Sequence, residues 1–336
     1  MASTASSSHS KSLTLSSSHT YTYIHHHPST STPLHPRATI LFLHGFPSSS
    51  YDWRHQITFF TSQGHGVLAP DLLGYGGSSK PVSLDPYRAR PMAAEIIEIL
   101  DHEGLEQVHA VGHDMGCGLL SRLADYYPAR LKSCVFLDVP YMNPGARFDL
   151  EMVNAMSREV LGYERFGYLG FFVTKEAGEL LDRFGESFFT LFYPDDPELW
   201  ITHVGPTGAM EAWLRSDSRA PLASWITEEE KATHHQIMQG NHSSALNWYR
   251  ALVGNINVED ELRSGLEPAL EMPVLMVSPQ PSRLEFPGME ESMSLVARDL
   301  TFRRVSTKGH WLQLEANDEV NGLLGDFFKR VDGVDD

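Results

Sequence analysis

Short runs of consecutive apolar residues recur along the chain, and amphipathic segments separate them. An unbroken run of this kind is typical of a strand that is buried on both faces of a sheet. Between the runs, residues 87–103 and 118–127 carry apolar side chains at helical spacing. The repeated order strand, helix, strand predicts the α/β class, with a mostly parallel central sheet flanked by helices. The predicted inner strands are residues 39–43, 67–69, 108–111, 134–137, 274–277 and 300–305.

The N-terminal end of the pattern differs from the rest. Residues 13–15 and 20–25 predict two edge strands, and the Ser-rich residues 1–12 predict a disordered tail. His25, His26 and His27 precede a proline and no further residue with ligand spacing accompanies them, so we expect an exposed loop without a metal.

The strand pattern stops after about Tyr141 and resumes near Met272, and the stretch between them is helical and aromatic-rich. We therefore predict a core of residues 13–142 and 266–336, with a helical cap of residues 143–265 inserted after the sixth strand. Within this cap, Thr227 followed by Glu230 predicts a capping box at a helix start.

Composition excludes several classes of partner. The 43 acidic and 26 basic residues give a formal charge of −17, which argues against nucleic acid and anionic membranes as partners. No window of about 20 apolar residues predicts a membrane span. The N-terminal residues lack the apolar stretch of a secretory signal, and the two cysteines, Cys117 and Cys134, form no disulfide framework. We expect a cytoplasmic protein without a cofactor; the oligomeric state stays open.

Polar residues stand where the predicted strands end. His44, Asp71, Asp114, Asp138 and the loop before His310 all occupy such positions. Because ligands of open α/β sheets bind beyond the carboxyl ends of the strands, this convergence indicates a functional site.

Asp114 lies at the centre of a predicted strand–turn–helix, in the sequence Gly112-His113-Asp114-Met115-Gly116. Serine hydrolases carry their nucleophile in the same frame. A carboxylate is already ionised at neutral pH and attacks an sp³ carbon directly, forming an ester. Asp114 as nucleophile therefore points to epoxides or alkyl halides and away from peptides.

Two further elements complete this chemistry. The backbone N–H groups of Phe46 and Met115 are the expected oxyanion hole for attack of water on that ester. His310 follows the last predicted strand, which is where the general base of this frame stands.

These motifs, together with His44-Gly45-Phe46-Pro47, Asp71-Leu72-Leu73-Gly74-Tyr75-Gly76 and Gly309-His310-Trp311, resemble the epoxide hydrolases of the α/β-hydrolase superfamily. The resemblance covers residues 13–330 and implies the α/β-hydrolase fold. Haloalkane and haloacetate dehalogenases share the frame, so the core motifs do not separate these groups.

The resemblance also implies roles for cap residues. Tyr168 and Tyr249 match the two tyrosines whose hydroxyls hydrogen-bond the epoxide oxygen in this family. Haloalkane dehalogenases usually carry Trp after the nucleophile, whose N–H binds the halide, whereas Met115 cannot donate such a bond. This difference favours an epoxide over a halide.

The third member of the triad departs from the family pattern. The expected acid position corresponds to Ser282, which is not a carboxylate. Asp138, at the end of the sixth strand, and Glu285, three residues beyond Ser282, are the candidates, and no acid at all is the remaining alternative. We favour Asp138.

The predicted function is hydrolysis of a small hydrophobic epoxide to a vicinal diol through an ester on Asp114. The alternatives are a dehalogenase, an epoxide-opening cyclase and a catalytically silent ligand-binding homologue. The aromatic residues of the predicted cap suit a hydrophobic substrate and are equally suited to core packing. They are Phe172, Phe188, Phe189 and Trp213.

Overall fold

Eight strands form one sheet in the computed structural model, which describes residues 9–29, 37–284 and 287–334. Their order across the sheet is β1-β2-β4-β3-β5-β6-β7-β8. β1 and β2 pair antiparallel, as do β2 and β4, and the other neighbouring strands pair parallel. The strands are β1 Ser10–Thr14, β2 Thr20–His26, β3 Thr39–Leu43, β4 Gly66–Pro70, β5 Val108–His113, β6 Leu131–Leu137, β7 Val274–Pro279 and β8 Leu300–Val305. The mostly parallel sheet predicted from the apolar runs is confirmed.

Two predictions at the N-terminal edge are wrong. The tail predicted for residues 1–12 ends too late, because Ser10, Lys11 and Ser12 already pair with β2. Residues 1–8 lie outside the described residues. The strand predicted for residues 20–25 extends to His26, so His26 does not lie in a loop, and the side chain of His25 is buried and not exposed. The strand predicted for residues 13–15 begins earlier, at Ser10, in a polar stretch that carries no apolar run.

Helices cover both faces of the sheet. The helices outside the long insertion are α1 Arg54–Ser62, α2 Ala89–His102, α3 Met115–Tyr126, α14 Met289–Val296, α15 Leu312–Glu315 and α16 Asn317–Asp332. Short 3₁₀ turns occupy Ser50–Trp53, Asp85–Tyr87 and Pro128–Arg130. The helix predicted for residues 118–127 begins three residues earlier, directly after Asp114. Among the described helices, none is both long and apolar enough to cross a membrane.

The segment between β6 and β7 is helical, as its composition predicts. Its helices are α4 Leu150–Leu161, α5 Gly167–Phe172, α6 Ala177–Arg183, α7 Gly185–Phe192, α8 Leu199–His203, α9 Ala209–Arg215, α10 Glu228–Met238, α11 His242–Ala245, α12 Asn247–Val253 and α13 Val258–Arg263. At the start of α10, Thr227 and Glu230 form the predicted capping box.

The sheet separates two hydrophobic clusters, one on each of its faces. Alternate residues of each inner strand point to opposite faces. Ile40 and Phe42 belong to a cluster with α1 and α16, whereas Leu41 and Leu43 belong to a larger cluster with α2, α3 and the helical insertion. The insertion is therefore packed on the sheet through one continuous apolar core, which holds its side chains in place above the strand ends.

Candidate active site

Asp114 lies at a sharp turn between β5 and α3. Its φ of +51° is a left-handed conformation that non-glycine residues rarely adopt. The turn fits only because its neighbours lack side chains. A Cβ on Gly116 would lie 2.1 Å from the carbonyl oxygen of Leu43, and one on Gly45 would lie 2.3 Å from Oδ1 of Asp114. The glycines therefore allow the backbone to approach closely enough to present this carboxylate at the strand ends.

The carboxylate of Asp114 is held by backbone donors. The N–H of Phe46 donates to its Oδ1 over 2.9 Å, and the backbone N–H of the adjacent Met115 acts together with it to favour the ionised carboxylate. Burial raises the pKa of Asp114 above its usual range, while His310 and the two backbone donors oppose this shift. The predicted oxyanion-hole groups thus already surround the carboxyl group at which an ester would form.

The loop carrying Phe46 is fixed by a buried histidine. Nε2 of His44 accepts from the N–H of Leu72 over 2.9 Å, and its Nδ1 donates to the carbonyl of Gly45 over 2.9 Å. Burial lowers the pKa of His44 to about 4, so the ring is neutral and both bonds are compatible with one tautomer. The role of His44 is to hold the turn.

His310 lies between two carboxylates. Its Nδ1 donates to Oδ2 of Asp138, and its Nε2 lies 3.6 Å from Oδ2 of Asp114. His310 follows both aspartates in the sequence, but in space its imidazole lies between the carboxylates of Asp114 and Asp138. Side-chain exposures of 15% for Asp114 and 13% for His310 leave both open to a cavity.

The charges of Asp114, His310 and Asp138 shift one another's pKa values. Burial lowers the pKa of His310, but Asp138 and Asp114 outweigh it, so the pKa lies above the ordinary 6.5. Burial likewise opposes ionisation of Asp138, yet His310 and Arg165 hold the pKa of Asp138 below its usual range. Asp138 is consequently ionised and suited to stabilise an imidazolium.

Asp138 also has the backbone geometry of a functional position. It directly follows β6 and has a φ of +64°. At the position where the family pattern expects the acid, Ser282 accepts a local bond from the N–H of Leu284. Glu285, the other candidate, lies outside the described residues. Of the two candidates, Asp138 is the one that the described structure brings to His310.

The sequence did not reveal the two residues whose hydrogen bonds hold the backbone of His310 in place. Nε2–H of His113 donates to the backbone carbonyl of His310 over 2.9 Å, and Nδ1 of His113 accepts from the amide of Gln313 over 3.2 Å. Burial lowers the pKa of His113 to about 3, so its ring is neutral and links Gln313 to the backbone of His310 through hydrogen bonds. His113 sits inside the recognised turn motif, but Gln313 carried no signal in the sequence.

Tyr168 and Tyr249 come from different helices and meet above Asp114. Tyr168 lies on α5 and Tyr249 on α12, with ring centroids 6.4 Å apart. Both tyrosines line the same two cavities as Asp114. Burial and the charge of Asp114 raise the pKa of both phenols well above 10, so both keep their protons at neutral pH. They are available as hydrogen-bond donors at this point.

Two cavities meet at the tyrosines. The smaller cavity has a volume of about 210 Å³ and the larger cavity one of about 490 Å³. His310, Asp138 and Arg165 line the smaller one only, and Met115, Leu119 and Trp248 line the larger one only. The residues that line both are Asp114, Val139, Pro140, Phe166, Tyr168 and Tyr249. A substrate that occupies both would carry its reacting atom past Asp114.

The aromatic residues singled out for a hydrophobic substrate line neither cavity. Phe172, Phe188 and Phe189 are buried in the core, and Trp213 donates its indole N–H to the carbonyl of Ser187. Other aromatic rings line the smaller cavity instead: Phe46, Phe166, Phe192 and Trp200. The apolar character of the site comes from these residues.

Among the described residues, one group has the spacing of a metal site. His25, His27 and Glu103 offer ligand atoms within 4.8 Å of one another. The ammonium of Lys11 lies 2.7 Å from Glu103 and 3.0 Å from Nδ1 of His25. A cation of the protein itself thus already neutralises this carboxylate, and the group lies at the sheet edge formed by β1 and β2.

Comparison with known proteins agrees with the fold. An alpha/beta-hydrolase fold family model matches residues 38–174. Epoxide hydrolase A from Mycobacterium thermoresistibile superposes with a TM-score of 0.75 at 25% identity, covering 95% of this chain and 97% of that one. The fold is therefore the α/β-hydrolase fold.

Sequence relatives are named after one activity. Bifunctional epoxide hydrolase 2 of Sus scrofa is 28% identical over 85% of this chain, and this chain spans 50% of the length of that relative. Epoxide hydrolase 2 of Siraitia grosvenorii is also 28% identical, over 87% of this chain and 92% of its own length. The similarity thus extends through the helical insertion that carries both tyrosines.

Proposed function

We propose that this chain, which has the α/β-hydrolase fold and is similar in sequence to proteins named epoxide hydrolases, hydrolyses an epoxide to a vicinal diol. The observation that carries the proposal is that His310 lies between the carboxylates of Asp114 and Asp138. Tyr168 and Tyr249 lie above Asp114. On this proposal, residues 143–265, which lie between the two parts of the core in the sequence, form the cap.

In the first step an oxygen of the Asp114 carboxylate attacks a ring carbon of the epoxide, and the bond from that carbon to the ring oxygen breaks. An ester forms, and the ring oxygen becomes an alkoxide with no group to depart. The hydroxyls of Tyr168 and Tyr249 stabilise this charge and supply a proton. Their raised pKa values support the protonated form that this step requires.

In the second step Nε2 of His310 takes a proton from water, and the resulting hydroxide attacks the ester carbonyl of Asp114. The N–H groups of Phe46 and Met115 stabilise the oxyanion. The leaving oxygen of the diol takes the proton from the imidazolium of His310, and the second proton of the water returns through solvent to the phenolate that protonated the first alkoxide. The diol leaves, and the water oxygen stays in the carboxylate. Asp138 orients His310 and stabilises its cation. A carboxylate at this place favours turnover over a silent ligand-binding role.

The covalent route predicts where the oxygen of water goes. A single turnover with excess enzyme in heavy-oxygen water should give an unlabelled diol and a peptide labelled at Asp114, because the new hydroxyl comes from the carboxylate. Mass spectrometry of the diol and of the Asp114 peptide measures both. A labelled diol from the first turnover would mean that water attacks the epoxide directly, and halide release without diol formation would favour the dehalogenase alternative.

The two phenols predict a selective effect on the first step. Tyr168→Phe or Tyr249→Phe should slow ester formation by about 10²-fold, since each removes one donor to the alkoxide. The double variant should be slower than either single variant. Rapid-quench kinetics separate ester formation from ester hydrolysis, which we expect to change little. Equal slowing of both steps would contradict the assigned role.

A further inference from the structure

Arg165 is a cation in the smaller cavity that the proposed mechanism does not use. It lies three residues before Tyr168, and its Nη1 is buried without a hydrogen-bond partner among the described residues. Guanidinium groups carry five donors, and a buried donor left unpaired is costly. Nη1 itself is closed to solvent, but Arg165 lines the smaller cavity, so a ligand in that cavity meets this cationic side chain.

The remaining charges of the smaller cavity have the same sign. Among the described residues, the Asp, His, Arg and Lys side chains that line it are Asp114, His310, Asp138, Arg165 and Lys308. The first three form the catalytic chain, so the charged side chains that remain are both basic. Such a surplus stands out in a protein of formal charge −17. It compensates the repulsion that an anionic ligand would meet from Asp114 and Asp138.

The larger cavity offers a different environment. Met115, Leu119, Phe148 and Leu169 are among the apolar residues that line it. Arg122 also lines it, but Glu261 pairs with its Nε over 2.6 Å. This cavity suits the apolar part of a ligand that passes Asp114.

We propose that the substrate is an epoxide carrying an ionised carboxylate a short chain away from the ring, with the carboxylate held by Arg165 in the smaller cavity. The apolar remainder of the substrate then lies in the larger cavity. Arginine binds a carboxylate through parallel N–H bonds, which fixes orientation as well as affinity. Arg165 would thereby decide which ring carbon faces Asp114.

The position of Arg165 agrees with this arrangement. Its charge helps to hold the pKa of Asp138 below its usual range and partly opposes the raised pKa of His310, as expected for a guanidinium that lines the same cavity. Arg165 and Asp114 line the same cavity, of about 210 Å³, so the bound carboxylate and the reacting ring would both lie within this small space. A series of epoxy acids of graded chain length should therefore show an optimum at short linkers.

The inference rests on the proposed epoxide hydrolysis, and a matched substrate pair separates the two. The pair is a short epoxy acid and its methyl ester, which differ in charge but not in the ring. We expect the unaltered enzyme to hydrolyse both, with a higher kcat/KM for the acid. If neither is hydrolysed, the proposed function fails. If both react with equal kcat/KM, the carboxylate subsite fails alone.

Arg165→Met removes the charge while keeping an unbranched, flexible side chain in place of the arginine stem. It should lower kcat/KM for the acid by about 10- to 100-fold, which is the range for a lost hydrogen bond to a charged group, and leave the ester little changed. Arg165→Lys should restore part of the preference, because an ammonium keeps the charge and loses the paired geometry. Equal loss on acid and ester, with a shifted pH profile, would reduce Arg165 to a positioning residue and overturn the proposal.

Two basic residues at the cavity mouths serve as controls. Lys308 and Arg147 are exposed and line the smaller and the larger cavity, respectively. Lys308→Met should lower the preference for the acid only weakly, because an exposed charge is screened. Arg147→Met should leave the preference intact. If Arg147→Met abolishes it and Arg165→Met does not, the carboxylate lies in the larger cavity and the proposed subsite is wrong.

Discussion

Asp114→Asn should lower kcat/KM for an epoxide by about 10⁴-fold or more, as removal of a covalent nucleophile does. The amide has nearly the shape of the carboxylate and keeps the turn, but it cannot attack a ring carbon. The fold should persist, because the substitution removes a buried charge whose pKa burial already raises. Steady-state diol formation measures the loss, and thermal unfolding measures the stability.

A matched control is available in Asp52. This aspartate is also buried, burial raises its pKa to about 6, and its Oδ2 has no hydrogen-bond partner among the described residues. It does not line either cavity. Asp52→Asn should therefore retain diol formation. Substantial activity in Asp114→Asn, or an equal loss in both variants, would contradict the nucleophile assignment.

Asp138→Asn should lower turnover by about 10³- to 10⁴-fold, because the imidazole of His310 loses the carboxylate that orients it and stabilises its cation. The effect should fall on ester hydrolysis and spare ester formation, since Asp114 attacks without a base. The ester should consequently accumulate and be visible in the intact-protein mass. Asparagine tolerates the φ of +64° at this position, so the backbone should remain as it is.

The same variant should change the pH dependence. His310 acts as a base only when neutral, so kcat falls as the pH falls through its pKa. Asp138 helps to hold this pKa above 6.5 in the native protein, and without it burial lowers the pKa. The acid limb of the residual kcat should therefore move to lower pH in Asp138→Asn and stay in place in Asp52→Asn. Ordinary turnover of Asp138→Asn would return the third-acid role to Glu285 or to no residue.

The third acid illustrates how far pattern reasoning reached. The motif frame placed the acid at Ser282, and the sequence could only name Asp138 and Glu285 as substitutes. Residues 138 and 310 are 172 positions apart, and their contact depends on how β6, β7 and β8 lie side by side. Strand order is a tertiary property, so this choice required the folded chain.

The cationic side of the site went unrecognised for a related reason. Arg165 has no motif of its own, and single charged residues are usually solvated. Its significance arises from the burial of Nη1 and from the cavity that it lines beside the catalytic chain. For the cap aromatics the sequence left two alternatives open, a pocket lining or the core, and the structure places Phe172 and Phe188 in the core.

By itself the sequence predicted the sheet strands and the turn at Asp114 and led to the proposal of a carboxylate nucleophile, because these depend on local apolar patterning, on glycines beside a tight bend and on residue type. Only the tertiary structure decided that Asp138 is the partner of His310, that Tyr168 and Tyr249 face each other over Asp114, and that two cavities join there. Those relations are set by strand order and by packing of the helical insertion, which bring together side chains that no spacing along the chain connects.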